Sequence, residues 1–244
     1  MLINALVALL ASTAAFAAPA VKRQSSDLIK DLELAGSAVA RNQILAKNGG
    51  NSSFMFDFAN PPEGAGLSSP AGKVVQANGG TFPALVGVDA SLTLVTIQPC
   101  GLILPHTHPR ADEFIVVTQG EIFTQFIAET GAVLITNELK TLGSTLFPKG
   151  SIHLVYNPTC QPAQVVAAFN SNDPGVSFVA NNLFELKDSQ VIAALGGDAV
   201  VSGADLESIR KAIPHPVATG VEQCLQKCGI KPYTKRSMKE VFGQ

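Results

Sequence analysis

An all-β fold is what this sequence predicts: an antiparallel sandwich or barrel, of which the double-sheet jelly roll is one form. Three observations predict it. Between about Thr81 and Leu186, short runs of β-branched and aromatic residues follow one another, separated by Gly, Pro and Asn. The 244 residues suit one domain of this kind, or a small pair. No internal repeat is visible, which argues for one barrel rather than two.

Composition narrows the class. Apolar residues make up 46% of the chain and charged residues 15%, enough for a sizeable core and unlike a disordered segment. Seventeen basic residues stand against 19 acidic ones, so no basic excess exists to hold a phosphate backbone, and nucleic acid is not an expected partner.

Residues 1–17 read as a secretory signal peptide. An apolar run from Leu2 to Leu10 leads into small residues, and Ala15-Phe16-Ala17 matches the small-x-small cleavage pattern. The run is too short to span a bilayer, and no later stretch is long and apolar enough to do so. Lys22-Arg23 is a dibasic pair that serves either as a processing site or as ordinary surface. Residues 18–78 form an N-terminal extension of helix and loop. Ser26 to Lys47 reads as one helix, with Ser26 or Asp27 as cap and apolar residues at Leu28, Leu32, Val39 and Ile44. Asn48 to Ala71 is rich in Gly, Pro, Asn and Ser and reads as loop. Its insert Phe54-Met55-Phe56-Asp57-Phe58 is expected to pack on the main core. Asn51-Ser52-Ser53 is an N-glycosylation sequon, whereas Asn157-Pro158-Thr159 is blocked by its proline.

The barrel is expected over residues 79–187, with strands at Ser91–Gln98, Glu113–Thr118, Glu121–Ala128, Ala132–Glu138, Thr145–Phe147, Ile152–Tyr156, Gln164–Phe169 and Val176–Val179. C-terminal helices and a tail occupy 188–244. Asp188 is placed to cap Ser189–Leu195, with Gly196-Gly197 ending that helix. Ala204–Ile213 carries Leu206, Ile209 and Ile213 on one face. Beyond Pro214 the chain is polar, with Lys231, Lys235, Arg236 and Lys239, and reads as a loosely held surface segment. Secretion makes the four cysteines readable as disulfides. Of the three connectivities available, the expected one is Cys100 with Cys160 and Cys224 with Cys228.

The chemistry gathers on histidine. The chain has four: His106, His108, His153 and His215. His106 and His108 stand at i and i+2, so on an extended chain their side chains leave the same face. Pro109 then turns the chain, and Glu113 opens the next strand. His153 follows the turn Pro148-Lys149-Gly150. If those strands neighbour one another, three imidazoles and one carboxylate converge. That donor set suits a divalent ion such as Mn, Fe, Ni, Co or Zn, and the lack of cysteine ligands argues against structural zinc. A lone strand histidine is usually an ordinary packed residue; this combination is much harder to reach by chance. His215, between two prolines, reads as a surface histidine. Gln125 or Asn157 offers a hydrogen bond to bound water or to a ligand, as second-shell support, though each also suits an ordinary strand or turn position.

These two segments resemble the paired cupin motifs. His106, His108, Glu113 and Gly120 match the core of the first, G-x5-H-x-H-x3,4-E-x6-G. Pro148, Gly150, His153 and Asn157 match the core of the second, G-x5-P-x-G-x2-H-x3-N. The string His106-Thr-His108-Pro-Arg-Ala-Asp-Glu113 resembles that of germins and the slime-mould spherulins. Both motifs depart at the opening glycine, because Gly101 and Gly143 each stand one position too close to the following His or Pro. Altered turns are expected there.

The resemblance implies a cupin double-stranded jelly-roll β-barrel. It implies manganese at His106, His108, Glu113 and His153, although the donors also suit other divalent metals. It further implies C-terminal helices used in oligomer packing, and a homo-oligomer, dimer or hexamer. Germin-like proteins include manganese superoxide dismutases and oxalate oxidases. The oxidases hold substrate with two asparagines, three and thirteen residues before the first His, where this chain has Ile103 and Thr93. Ile103 has no donor for a carboxylate, so oxalate oxidation is disfavoured and the mouth, with Leu102, Ile103 and Leu104, is apolar. The expected function is therefore a secreted manganese-binding oxidoreductase, superoxide dismutase-like. The alternatives are a non-enzymatic metal-stabilised wall or encystment protein, and a pocket for a small apolar or sugar ligand.

Overall fold

The computed structural model describes residues 26–197, 200–214 and 216–231. The signal peptide, Lys22-Arg23, His215, Lys235, Arg236 and Lys239 lie outside the described residues. Twelve described strands form two sheets. The first orders β1 (Gly66–Ser69), β2 (Gly72–Ala77), β3 (Ser91–Ile97), β10 (Ala163–Phe169), β5 (Glu113–Gln119) and β8 (Ser144–Phe147). The second orders β11 (Ser177–Phe178), β4 (Gly101–Thr107), β9 (Ile152–Tyr156), β6 (Glu121–Ile127) and β7 (Ile135–Lys140), with β12 (Val217–Thr219) also paired to β4. All pairings are antiparallel. This is the predicted double-sheet jelly roll.

Side-chain alternation explains the layers. On β5, Glu113, Ile115 and Val117 are buried while Phe114 is half exposed; on β10, Ala163, Val165, Ala167 and Phe169 point the same way. They meet Ile103, Ile122 and Val155 of the second sheet in one core. Burying each of the larger aliphatic side chains stabilises the fold by roughly 1.5–3 kcal/mol.

Strand β4 does not keep this alternation. Its pairing with β9 shifts register between Ile103 and His106. An unbroken strand with Ile103 inside would turn His106 outward. The irregularity at Leu104-Pro105 changes the parity, so that both Ile103 and His106 face the interior. Pro105, which has no N–H to give, is tolerated at such a break.

Several expectations need correction at the ends of the chain. The N-terminal helix is two: α1 (Ser26–Leu34) and α2 (Ala38–Gly49). Gly36 favours the break, and the Ser37 hydroxyl caps α2 by accepting from the Ala40 N–H at 3.1 Å. Leu28, Leu32, Leu45 and Val86 form a small separate core, whereas Val39 is exposed. Phe56 packs on Phe58 and Phe82 beside that small core, not on the barrel core, and Met55 is exposed. The loop reading to Ala71 missed β1, and β2 was missed beyond it. Both contain Gly, Ser or Lys and are recruited by their ladders, β2 to β3 and the edge strand β1 to β2. Helices α3 (Val179–Phe184), α4 (Asp188–Ala194) and α5 (Gly203–Ala212) follow the barrel. Asp188 does not cap α4. It begins the helix, and its carboxylate holds Arg210 of α5 at 2.7 Å.

Residues 216–231, within the expected loose segment, are held in place. β12 adds to β4, Val217 is buried, and α6 (Glu222–Cys228) is fastened by two disulfides. These join Cys100 to Cys224 and Cys160 to Cys228, so the expected pairing is wrong. Positions 224 and 228 share one helix face, and each finds a partner on the barrel. Closing loops with sequence separations of 124 and 68 restricts the unfolded chain, by about 2–5 kcal/mol for a typical bridge.

The two displaced motif glycines have a physical outcome. The turns are retained, and ordinary residues bear them. Cys100 (φ 58°) and Leu142 (φ 72°) are the non-glycine residues with positive φ among those described, and both stand where the motif asks for glycine. Gly101 is needed for another reason: a β-carbon there would meet the Ala71 carbonyl oxygen at 2.5 Å. Leu142 is 82% exposed, so little packing offsets its left-handed backbone. Leu142→Gly should therefore raise stability, by about 0.5–1 kcal/mol, measured as an upward shift in the denaturant midpoint. An unchanged or lower midpoint would contradict strain at this turn.

Candidate metal centre

Four strand or strand-end residues meet inside the barrel. His106 comes from β4, His108 lies just after it, Glu113 opens β5, and His153 lies on β9 opposite His106. Their side-chain donor atoms all lie within 4.8 Å of one another, and all four residues are buried. Glu113 Oε2 stands 3.2 Å from His108 Nε2 and 2.9 Å from His153 Nε2.

The backbone fixes which nitrogen faces the centre. His106 Nδ1 lies 2.7 Å from the Leu104 carbonyl oxygen, His153 Nδ1 lies 3.0 Å from that of Ser151, and His108 Nδ1 contacts that of Gly175. A carbonyl oxygen has no proton to give, so each Nδ1 carries a hydrogen and each ring turns its Nε2 inward. Phenyl rings hold the imidazoles in place. Phe147 stacks on His153 at 4.3 Å, Phe169 meets His108 at 4.7 Å, and Phe178 lies 5.5 Å from His106.

The donor set passes a test of fit for a cation. With its Nδ1 hydrogen given to Ser151, His153 turns its Nε2 to Glu113, and both facing atoms are buried without a hydrogen-bond partner. The short contact between them is stable only with a positive charge, a proton or a metal ion, between them. Burial pushes the Glu113 carboxyl up, but the neighbouring His108 and His153 outweigh that and hold it below the usual carboxylate range. Burial above all, and then the neighbouring His153, lowers His106 to about 3. At neutral pH the centre therefore offers a carboxylate and a neutral imidazole, the forms that metals require.

A cavity of about 300 Å³ opens on the cluster. Thr93 and Ile103 both line it, as the sequence comparison anticipated. Leu102 and Leu104 do not. Leu102 packs toward α6 and Leu104 is buried in the sheet, so the apolar mouth is narrower than expected.

Neither predicted supporting amide reaches the cluster. The Asn157 amide donates to the carbonyls of Ile97, Gln98 and Gln161, and its oxygen accepts from Thr159, so it ties a turn. Gln125 meets Thr136 on the outer face of the barrel. The carbonyls of Leu104, Ser151 and Gly175 orient the rings instead. Sequence reasoning missed them because every residue carries a carbonyl; the stacked Phe147, directly before Pro148, was the visible signal. Asn51 is exposed in the short 3-10 turn Gly50–Phe54. A second group, Cys100, Cys224 and Cys228, is committed to disulfides.

A double-sheet barrel with three imidazoles and a carboxylate at one interior point defines a protein of the cupin class with a candidate metal site. The comparisons agree. The family model described as cupin matches residues 57–194. The chain is 34% identical over 220 residues to Spherulin-1B of Physarum polycephalum, covering 90% of this chain and 86% of that protein. It is 39% identical over 130 residues to germin-like protein subfamily 2 member 2 of Arabidopsis thaliana, covering 53% and 59%. A recombinant oxalate oxidase in complex with glycolate superposes with TM-score 0.55 at 26% identity, covering 59% of this chain and 74% of that one. The protein belongs to the cupin family, of the germin-like and spherulin type. Among the described residues no helix is long and apolar enough to cross a membrane.

The titration behaviour gives a pH prediction for the metal-free protein. In the unfolded chain His106 takes a proton near its ordinary 6.5, while in the fold it stays neutral down to about 3. Between those values the unfolded state binds more protons, so stability falls as pH falls, by up to about 1.4 kcal/mol per pH unit. Glu113, held low, adds a loss in the same direction at more acid pH. Chelator-treated protein should lose denaturant resistance steadily from pH 6.5 to 4, and His106→Gln should lose less. Parallel slopes would contradict the buried neutral imidazole.

Proposed function

We propose that this chain is a secreted, manganese-binding germin-like cupin that acts as a small-molecule oxidoreductase of the superoxide dismutase type. The single observation that supports it most is the pair of buried atoms at 2.9 Å, Glu113 Oε2 and His153 Nε2, beside two further inward imidazoles. His106, His108, Glu113 and His153 would hold the ion. Nitrogen and carboxylate donors without thiolate suit manganese or a similar divalent ion, and the likeness to germins favours manganese. Bound there, such an ion supplies one-electron cycling. The chain's own part is to hold three Nε2 atoms and one carboxylate at fixed positions, to keep His106 neutral, and to exclude bulk water with Phe147, Phe169 and Phe178. Dismutation of a small diatomic anion needs no elaborate polar cradle, and Ile103 does not provide one.

The two disulfides and the sequon at Asn51 support an extracellular location. The C-terminal helices remain the expected packing surface of a homo-oligomer. A second reading, a metal-stabilised extracellular or encystment-type structural protein without turnover, is favoured by the coverage. Spherulin-1B aligns over 90% of the chain, against 53% for the germin-like protein.

Two measurements separate these readings. Elemental analysis of purified protein should find about one manganese per chain, and His106→Ala with His108→Ala should empty the site while both disulfides remain. A full metal complement in the double variant would defeat the site assignment. In a dismutase assay the loaded protein should exceed the metal-free protein well above the rate of the free ion. Equal rates would leave the structural role.

A further inference from the structure

The cavity above the metal ligands is layered, and the layers point to a ligand. Strand register sorts its wall into three rows. The first holds Glu113 level with Phe169 and Phe147. One step along the strands comes a polar row, in which Gln76 pairs with Thr93, and Thr93 with Ala167. A further step brings Val74, Val95 and Val165 into line. Ile103 and Val155 of the second sheet face the same space.

Two features of these rows are unused by the fold. Among the described residues, the side chains of Gln76 and Thr93 have no hydrogen-bond partner, although Thr93 is 6% exposed and lines the cavity. A buried hydroxyl facing a cavity wants a partner. The second feature is charge. Among the described lining residues there is no Lys or Arg. Arg110, close in sequence to the ligands, is turned away to Asp173, with Nη2 2.7 Å from the carboxylate. An anion entering here has one place to be neutralised, beside the four ligands, and its far end must be uncharged.

Resting on the reading of His106, His108, Glu113 and His153 as metal ligands, we propose that the cavity takes a small monocarboxylate with an apolar body. The carboxylate sits at the ligand row, with one oxygen accepting from the Thr93 hydroxyl and within reach of the Gln76 amide. The body lies along Val74, Val95, Val165 and Ile103. About 300 Å³ is at the lower end of small-molecule sites, enough for a chain of several carbons or a single ring. A dicarboxylate of equal length would bury its second charge against the valine row without a partner. Ile103 and Val165 thus set specificity by exclusion, and Thr93 positions the head.

The test is a calorimetric titration of the manganese-loaded protein with acetate, butyrate, hexanoate and adipate, with metal content measured on the same sample. Affinity should rise about fourfold per methylene buried, up to hexanoate. Adipate should bind at least tenfold more weakly than hexanoate. Thr93→Val, close to isosteric, should weaken hexanoate about tenfold with metal content unchanged. A flat response to chain length, or adipate equal to hexanoate, in protein that carries its metal would overturn the inference and leave the metal site standing. Equal hexanoate binding by loaded protein and by the emptied His106→Ala/His108→Ala variant would overturn the anchoring of the head at the ligand row. Unchanged hexanoate affinity in Thr93→Val would overturn the role of Thr93.

Discussion

Three imidazoles each give an Nδ1 hydrogen to a backbone carbonyl and turn Nε2 toward the carboxylate they surround. That constraint organises the protein. It aims buried polar atoms at one point, a costly arrangement unless a cation offsets it. The carbonyls that impose it come from the strand break at Leu104, from Ser151 beside the Pro148-Lys149-Gly150 turn and from Gly175 in the loop before β11. The centre therefore depends on three separate pieces of backbone being held rigid, and much of the surrounding structure holds them. Phe147, Phe169 and Phe178 lie against the rings, β11 pins the end of β4, and the Arg110–Asp173 pair ties the loop beside Gly175.

The ligands were legible in the sequence because metal chemistry restricts residue type and because strand geometry restricts spacing. His106 and His108 at i and i+2, and a carboxylate opening the next strand, are chemical facts before they are structural ones. What could not be read was how His106 comes to face inward at all. Simple alternation from Ile103 would have sent it to solvent; the register shift at Leu104-Pro105 sets it right. Pro105 was the trace of that break. The supporting groups were misread for a related reason. Asn157 and Gln125 were the polar side chains at hand, but the rings are oriented by main-chain oxygens, which leave no mark in a sequence.

The ends of the chain were read least well, because their structure is imposed from outside. Val217-Ala218-Thr219 is too short to declare itself a strand and becomes one by completing the free edge of β4. β2 likewise exists through β3, and β1 through β2. The cysteines show the same effect. The expected pairing joined Cys224 to Cys228, yet four residues apart on a helix they share a face, and that face is turned to the barrel. Each then bonds to it separately, and the tail becomes a clamp.

The clamp and the strained turns meet at Cys100. The motif's glycine is the residue for which a left-handed backbone costs least; this chain places there a cysteine with φ 58° and joins it to α6. Such strain, of order 1–3 kcal/mol, persists only where the surroundings over-determine the conformation. At Cys100 they do so. The residue is fully buried, its Sγ is bonded to Cys224, and its neighbour Gly101 fits against the Ala71 carbonyl with no room for a β-carbon. At Leu142 nothing comparable is present, since its side chain is exposed. One departure from the motif thus gains a cross-link that fixes the start of β4, the strand that carries His106. The other brings no visible packing gain, and nothing in the structure explains why leucine stands there.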